Sequence, residues 1–429
     1  MTTPSSPAHS GATAAAEDFA PGRPVVFRNA TVLTMDEGHH VYRGADVLTD
    51  GQRIAAVGHA LEVPADAVEI DAAGGIVMPG MIDTHRHMWQ TAMRGYGADW
   101  TLTQYFVWNY LQWGKSFRPQ DIYAGNLLSA IEAVDAGVTT SVDWSHNLQT
   151  VDHAEAALAA LQEVPGRFVL GYGNIQAAPW EWSTTPEFRD FVSRNFSGSD
   201  DMLGFQMAFD VPPASPDFPE KAAFEVAREL GVPVTTHAGV WKVTTDDGIR
   251  LMHEHGFMTP GTVYVHAATL STDSYHRIAA TGGSASLSTE SECSAGQGYP
   301  PTWKLRQHGI PVSLSMDTSV WWSSGTMAGE SSFLMSTTSA FLPGSRLPVT
   351  PSRPSAWAPP RVAQLTTCSA RSLWWVTVSS RACASRCSLA RSALSVARMA
   401  ENRSPLHHTL VSMDRDTGMP CWRSFHVGG

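Results

Sequence analysis

At 429 residues, with 43% hydrophobic and 16% charged side chains, the chain is long enough for one large α/β domain beside a smaller one. A net charge of −11 without a basic patch argues against nucleic acid as the main partner, and no run of about 18 apolar residues is present to span a membrane. Five cysteines, an odd number without framework spacing, fit a reducing, cytoplasmic setting.

Residues 1–22 are rich in Ser, Pro, Ala and Gly and lack the charged and apolar regions of a signal peptide, so a disordered leader is expected. Between 23 and 77 the pieces VVFRNATVLTM, GADVLTDGQRIAAVG and AVEIDAAGGIVM are separated by turn residues and predict an antiparallel unit, part of a small β-sandwich. The apolar run Ile76–Met78 stops at Pro79-Gly80, and His85 and His87 follow. Residues two apart in an extended segment face the same way, so both imidazoles can reach one metal ion from the end of a buried strand. His253 and His255 have the same spacing in a stretch that reads as helix, where such residues do not share a face, and are read as surface residues.

From Met78 onward the runs GVTTSVDW, GRFVLGYG, MLGFQMAFD, VPVTTHAG, GTVYVHAA, GSASLSTE and IPVSLSMD alternate with helical stretches such as NLLSAIEAVDAG and FPEKAAFEVARELG. With the strand before His85 they make eight, which predicts an α/β fold, a (β/α)8 TIM barrel over residues 78–330. A doubly wound sheet would need a topological switch and usually a Gly-rich phosphate turn, and neither is present. Barrel chemistry gathers at the C-terminal mouth, so strand ends carry the information. The fifth strand ends at His237, the sixth at His266 and the eighth at Asp317. A polar group closing an apolar run is costly unless a metal or hydrogen bond satisfies it. His85, His87, His237 and Asp317 are therefore candidate ligands for one divalent ion with a position left for water, and His266 is free to hydrogen-bond water or substrate.

The stretch MPGMIDTHRHM resembles the first barrel strand of the amidohydrolase superfamily, which ends in PG-x-ID-x-H-x-H, with Pro79, Gly80, Asp83, His85 and His87 in register. The resemblance spans roughly residues 24–320. It implies a hydrolase of the deaminase and chlorohydrolase branch, acting with one zinc or iron ion on a carbon–nitrogen bond of an aminated heterocycle or cyclic amidine. Such an ion lowers the pKa of bound water towards neutrality. Asp317 would accept the proton of that water, and His266 would stabilise charge developing on the substrate. The segment MWQTAMRGYGADWTLTQYF looks like the substrate loop of this branch, so Met88, Trp89 and Gln90, with Trp144 and His146, are candidates to line the pocket.

Two departures from the family pattern stand out. Binuclear relatives carry a carboxylated lysine at the end of strand four, whereas GFQMAFD ends here in Asp210, which favours a single metal. Deaminases of this group carry a glutamate three residues after the strand-five histidine, and that position is Val240. Glu290 and Glu292, in LSTESE, are candidate replacements as catalytic acids.

Residues 321–429 differ in composition, with 11 Arg, no Lys, 4 acidic residues, 20 Ser and four of the five cysteines. Cys383 and Cys387 have no second spaced pair, which speaks against a zinc module. A disordered tail should be poor in Trp and Cys, and this one is not. The pattern reads as a shift of reading frame near Val320, giving an aberrant tail over 331–429, with a genuine extension as the alternative. Two functions stay open: a metal-dependent hydrolase acting on a small heterocycle, and a catalytically silent chain that keeps the metal site. A homo-oligomer is compatible with either.

Overall fold

The computed structural model describes residue 19, residues 22–51, 53–198, 202–212, 217–240 and 243–321, and three short strands beyond them. Strands β1 (Val25–Leu33), β2 (Val41–Thr49), β3 (Ile54–Gly58), β4 (Val68–Asp71) and β5 (Ile76–Pro79) form the N-terminal sheet. β1 pairs antiparallel with β2, and β2 with β3, whereas β4 and β5 both run parallel to β1. The unit is therefore mixed rather than antiparallel throughout. The β2–β3 excursion brings the chain back to the free edge of β1 in its original direction. Phe27 sits opposite Val47 on one side and Ile70 on the other, and all three are buried in the core of this sheet.

The barrel follows as β6 (Met81–Arg86), β7 (Val138–Ser145), β8 (Arg167–Tyr172), β9 (Leu203–Ala208), β10 (Val234–Ala238), β11 (Val263–His266), β12 (Ser284–Leu287) and β13 (Val312–Leu314). These eight strands are parallel and lie in sequence order, the (β/α)8 arrangement expected. The ends of the sheet meet through a bridge between Arg86 and Asp317, and the Thr84 hydroxyl lies 2.7 Å from those of Ser286 and Ser313.

The strand carrying His85 is not the apolar run Ile76–Met78. That run belongs to β5 in the N-terminal sheet, and β6 starts after Gly80. A Cβ at Gly80, between β5 and β6, would lie 2.1 Å from Thr139 Cγ2, so this glycine lets the chain pass close to β7.

Helices cover the barrel through their apolar faces. Lys221–Leu230 buries Ala223, Phe224, Val226 and Ala227, a helical repeat, and stops at Gly231 with φ 67°. Pro119–Asp135 starts with a proline at its first turn and presents small residues inward. A Cβ at Gly125 would fall 2.4 Å from the Trp89 carbonyl oxygen, so this glycine lets the helix press against the segment just beyond His87.

In the C-terminal region, where no strand pattern was expected, β14 (Trp374–Val376) pairs antiparallel with β5, while β15 (Val411–Met413) and β16 (Pro420–Trp422) pair with each other in a separate unit, residues 381–429. The expected disorder of the leader and the altered reading frame fall almost wholly outside the described residues.

Candidate active site

The barrel brings the strand-end residues together at one mouth. His85 lies in β6, His87 just beyond it, His237 in β10, His266 at the end of β11, and Asp317 after β13. All but His237 are fully buried, and that ring is mostly so. Asp317 Oδ1 lies 3.2 Å from His85 Nε2 and 3.3 Å from His87 Nε2. The His85 ring meets those of His87 and His237 edge-on, at 4.6 and 5.0 Å between centroids. Ligand atoms of His85, His87 and His237 lie within 4.8 Å of one another, as do those of His85, His266 and Asp317.

Partners outside this cluster decide which ring nitrogen faces inward. A carbonyl or carboxylate oxygen only accepts, so the nitrogen beside it must carry the hydrogen. His87 Nδ1 thus donates to the Trp144 carbonyl at 3.0 Å, and His237 Nδ1 donates to Asp210 at 3.0 Å. His266 Nδ1 donates to Glu292 Oε1 at 3.1 Å. When such a ring is neutral its lone pair is on Nε2, the arrangement in which an outer carboxylate or carbonyl orients a metal-binding histidine. Asp210 also accepts from the His237 backbone N–H at 3.0 Å, and Glu292 Oε1 from that of Ser288 at 2.8 Å. Asp317 Oδ2 takes a hydrogen bond from Ser291 Oγ at 2.6 Å.

Electrostatics act in the same direction. Burial, and then the neighbouring His87, holds His85 well below its ordinary pKa. Burial brings His87 down to about 4. Burial would raise Asp317, but hydrogen bonding to His85 and the charge of His266 outweigh it and keep the carboxylate ionised. Burial would lower His266, yet Glu292 and Asp317 raise it. His85 and His87, held neutral beside an ionised carboxylate, form a donor set that fits a divalent cation, and the buried His85 Nδ1 has no hydrogen-bond partner among the described residues.

Two of these side chains sit on strained backbone, His266 at φ 74° and Asp317 at φ 62°. Left-handed conformations cost a non-glycine residue about 1 kcal/mol or more and persist where the surroundings fix them. Here Asp317 N donates to His85 O at 2.9 Å and His87 N donates to Asp317 O at 2.7 Å, which stitches the first strand to the end of the last.

The other sequence candidates are placed unevenly. Trp144 stacks on His237 with centroids 3.9 Å apart, and His146 lies 4.0 Å from the His87 ring. Trp89 Nε1 donates to His146 Nδ1 at 3.1 Å, while Met88 and Trp89 are fully buried in the main core. Gln90 hydrogen-bonds the Tyr105 hydroxyl at 2.6 Å. Val240 is buried and its apolar side chain cannot carry a proton. Glu292 is buried against His266, whereas Glu290 is exposed on the same helix, Thr289–Ala295. His253 and His255 are exposed.

Four polar residues were not singled out from the sequence. Tyr110 Oη lies 2.7 Å from His146 Nε2, on the π-helix Phe106–Trp113. Ser291 supports Asp317. Asp143, pushed up to about 7 by burial, accepts from Met88 N at 3.2 Å and Asn126 Nδ2 at 2.7 Å, tying the chain after His87 to β7. Asp210, noted only as the absence of a lysine, is the partner of His237. Its position at a strand end, shared by Asp143 near the end of β7, was the available signal. Tyr110 and Ser291 depend on side chains meeting between different elements.

The sequence profile of the amidohydrolase family matches residues 76–358. A 5-methylthioadenosine/S-adenosylhomocysteine deaminase of Symbiobacterium thermophilum is 27% identical over 309 residues, 68% of this chain and 69% of that protein. A 5'-deoxyadenosine deaminase of Methanosarcina barkeri is 25% identical over 303 residues, 68% of each chain. Among solved structures, the triazine hydrolase of Arthrobacter aurescens superposes with a TM-score of 0.59 at 20% identity, over 70% of this chain and 72% of that one. A zinc-bound adenosine deaminase of Xanthomonas campestris gives 0.57 at 17%, over 70% and 71%. The profile match covers well over half of the 429 residues and carries the strand ends that build the site, so the chain belongs to the amidohydrolase family.

Proposed function

We propose that the protein hydrolyses a carbon–nitrogen bond of an aminated heterocycle or cyclic amidine, releasing ammonia. His85, His87, His237 and Asp317 would hold one divalent ion, zinc or iron. When bound, that ion supplies the Lewis acidity that brings the pKa of water towards neutrality. Asp317, ionised beside the histidines, takes up the proton released from the attacking water. His266 faces the same space through Nε2 and delivers a proton to the substrate nitrogen or stabilises charge there. Trp144, stacked on His237, and His146 form apolar and polar walls, and Gln90, with the Met88–Trp89 turn, backs them.

The observation that carries this reading is the outward anchoring of three histidine Nδ1 atoms, while ligand atoms of His85, His87 and His237, and of His85, His266 and Asp317, lie within 4.8 Å of one another. The curated relatives, named as deaminases of adenosine-type compounds, support the reaction type. The missing shuttle at Val240 is met in this reading by His266 backed by Glu292. Val240 also favours the second reading, a chain that binds metal without turnover. The test is ammonia release from adenosine-type nucleosides, guanine, cytosine and aminotriazines by zinc- or iron-loaded protein. Release that disappears in His266→Ala supports the hydrolase. Full metal occupancy with no release from any of these compounds supports the silent chain.

A further inference from the structure

The helix Thr289–Ala295 follows β12, a strand that gives no residue to the proposed ligand set, yet it reaches two of the reacting groups. Glu292 holds His266 from this helix, and Ser291 holds Asp317. Ser291 is 2% exposed, and its hydroxyl lies 2.6 Å from Asp317 Oδ2 and 3.0 Å from the Ser288 carbonyl. A hydroxyl has one hydrogen, and an ionised carboxylate is the stronger acceptor, so the shorter contact takes it. Gln297 Nε2, just past the helix end at Gly296, lies 3.5 Å from the same oxygen. Asp317 Oδ1 is then the oxygen left to face His85 and His87.

We propose that Ser291 is a positioning residue for Asp317: by occupying Oδ2 it fixes the carboxylate plane so that Oδ1 alone is presented to the metal and to the attacking water. This rests on the reading of Asp317 as a metal ligand. Rotation of the carboxylate would move Oδ1 away from the histidine nitrogens. The strained φ of Asp317 leaves its backbone little freedom to compensate. Loss of an outer hydrogen-bond partner of a metal ligand typically costs 10–100-fold in affinity.

The experiment measures zinc affinity of the full chain by competition with a chromophoric chelator, in wild type, Ser291→Ala, Ser291→Thr, Asp317→Ala and the Ser291→Ala/Asp317→Ala pair. Ser291→Ala should weaken zinc binding about tenfold or more, Ser291→Thr should restore most of it, and Ser291→Ala should have no further effect once Asp317 is absent. Cobalt-substituted Ser291→Ala should also show an altered visible spectrum, which a loss of packing alone would not produce. Wild-type affinity in Ser291→Ala, or the same loss in both backgrounds, would overturn the positioning role. Wild-type protein that binds no zinc would instead defeat the metal-site reading beneath it.

Discussion

Replacing Glu292 by Gln removes a charge while keeping a shape. Glu292 is fully buried, Oε1 accepts from His266 Nδ1 and the Ser288 N–H, and Oε2 has no partner among the described residues. An amide can place its oxygen at Oε1 and keep both bonds, so the fold should survive. Two unit charges about 4 Å apart interact by roughly 4 kcal/mol at an effective dielectric of 20, and the retained amide dipole offsets part of that. A net loss of about 2–3 kcal/mol corresponds to a fall on the order of 10²-fold in the ratio of protonated to neutral His266. The wild-type pKa is raised, so the protonated form is present below it and lost as pH rises through it. In Glu292→Gln the raising effect of Glu292 is lost, and the loss of the proton moves to lower pH. Turnover should therefore drop on the order of 10²-fold near neutral pH, recover partly towards pH 5, and show little change in KM or metal content. The assay is ammonia release across pH 5–9 on a substrate found active, with metal analysis in parallel. Turnover within about threefold of wild type at every pH, with metal bound, would refute the coupling of Glu292 to His266.

Purified protein should carry about one divalent ion per chain, and His85→Ala/His87→Ala should lose it; two ions, or full occupancy in the double variant, would show the site to be elsewhere. The depressed histidine pKa values set the acid limit of metal retention. His87 titrates at about 4 rather than 6.5, and His85 is also lowered, so protons compete poorly above that range. Stepwise dialysis should show metal retained to about pH 5 and released between about pH 5 and 4, and release beginning near 6.5 would contradict neutral buried ligands. Asp210→Asn leaves His237 with a weaker, uncharged partner, so zinc affinity should fall about 10-fold, read by chelator competition, with no change if Asp210 does not orient the ring. Trp144 is 1% exposed, so Trp144→Ala should cost about 3–5 kcal/mol in urea unfolding, and a loss below about 1 kcal/mol would mean the site collapses around the gap.

What the sequence determined by itself was periodic or terminal. The alternation of apolar runs and helical stretches specified eight parallel strands, because a parallel sheet buried on both faces must be built from such runs. Polar residues closing those runs marked His85, His87, His237, His266 and Asp317, because a buried polar side chain at that place needs a partner. The His85/His87 pair was distinguishable from His253/His255 for the same local reason, since extended and helical segments display residues two apart differently.

Tertiary structure alone decided what holds those side chains. The split at Gly80 puts Ile76–Met78 into another sheet, and there the chain passes close to Thr139, 59 residues further along. Glu290 and Glu292 are equivalent in sequence, and only the rotation of their helix buries one against His266 and exposes the other. Asp210 turns to His237 across 27 residues and Ser291 to Asp317 across 26. A hydrogen bond between side chains on different elements leaves no period in the sequence, because its geometry is set by how the barrel closes, as at the Arg86–Asp317 bridge that joins the first strand to the end of the last.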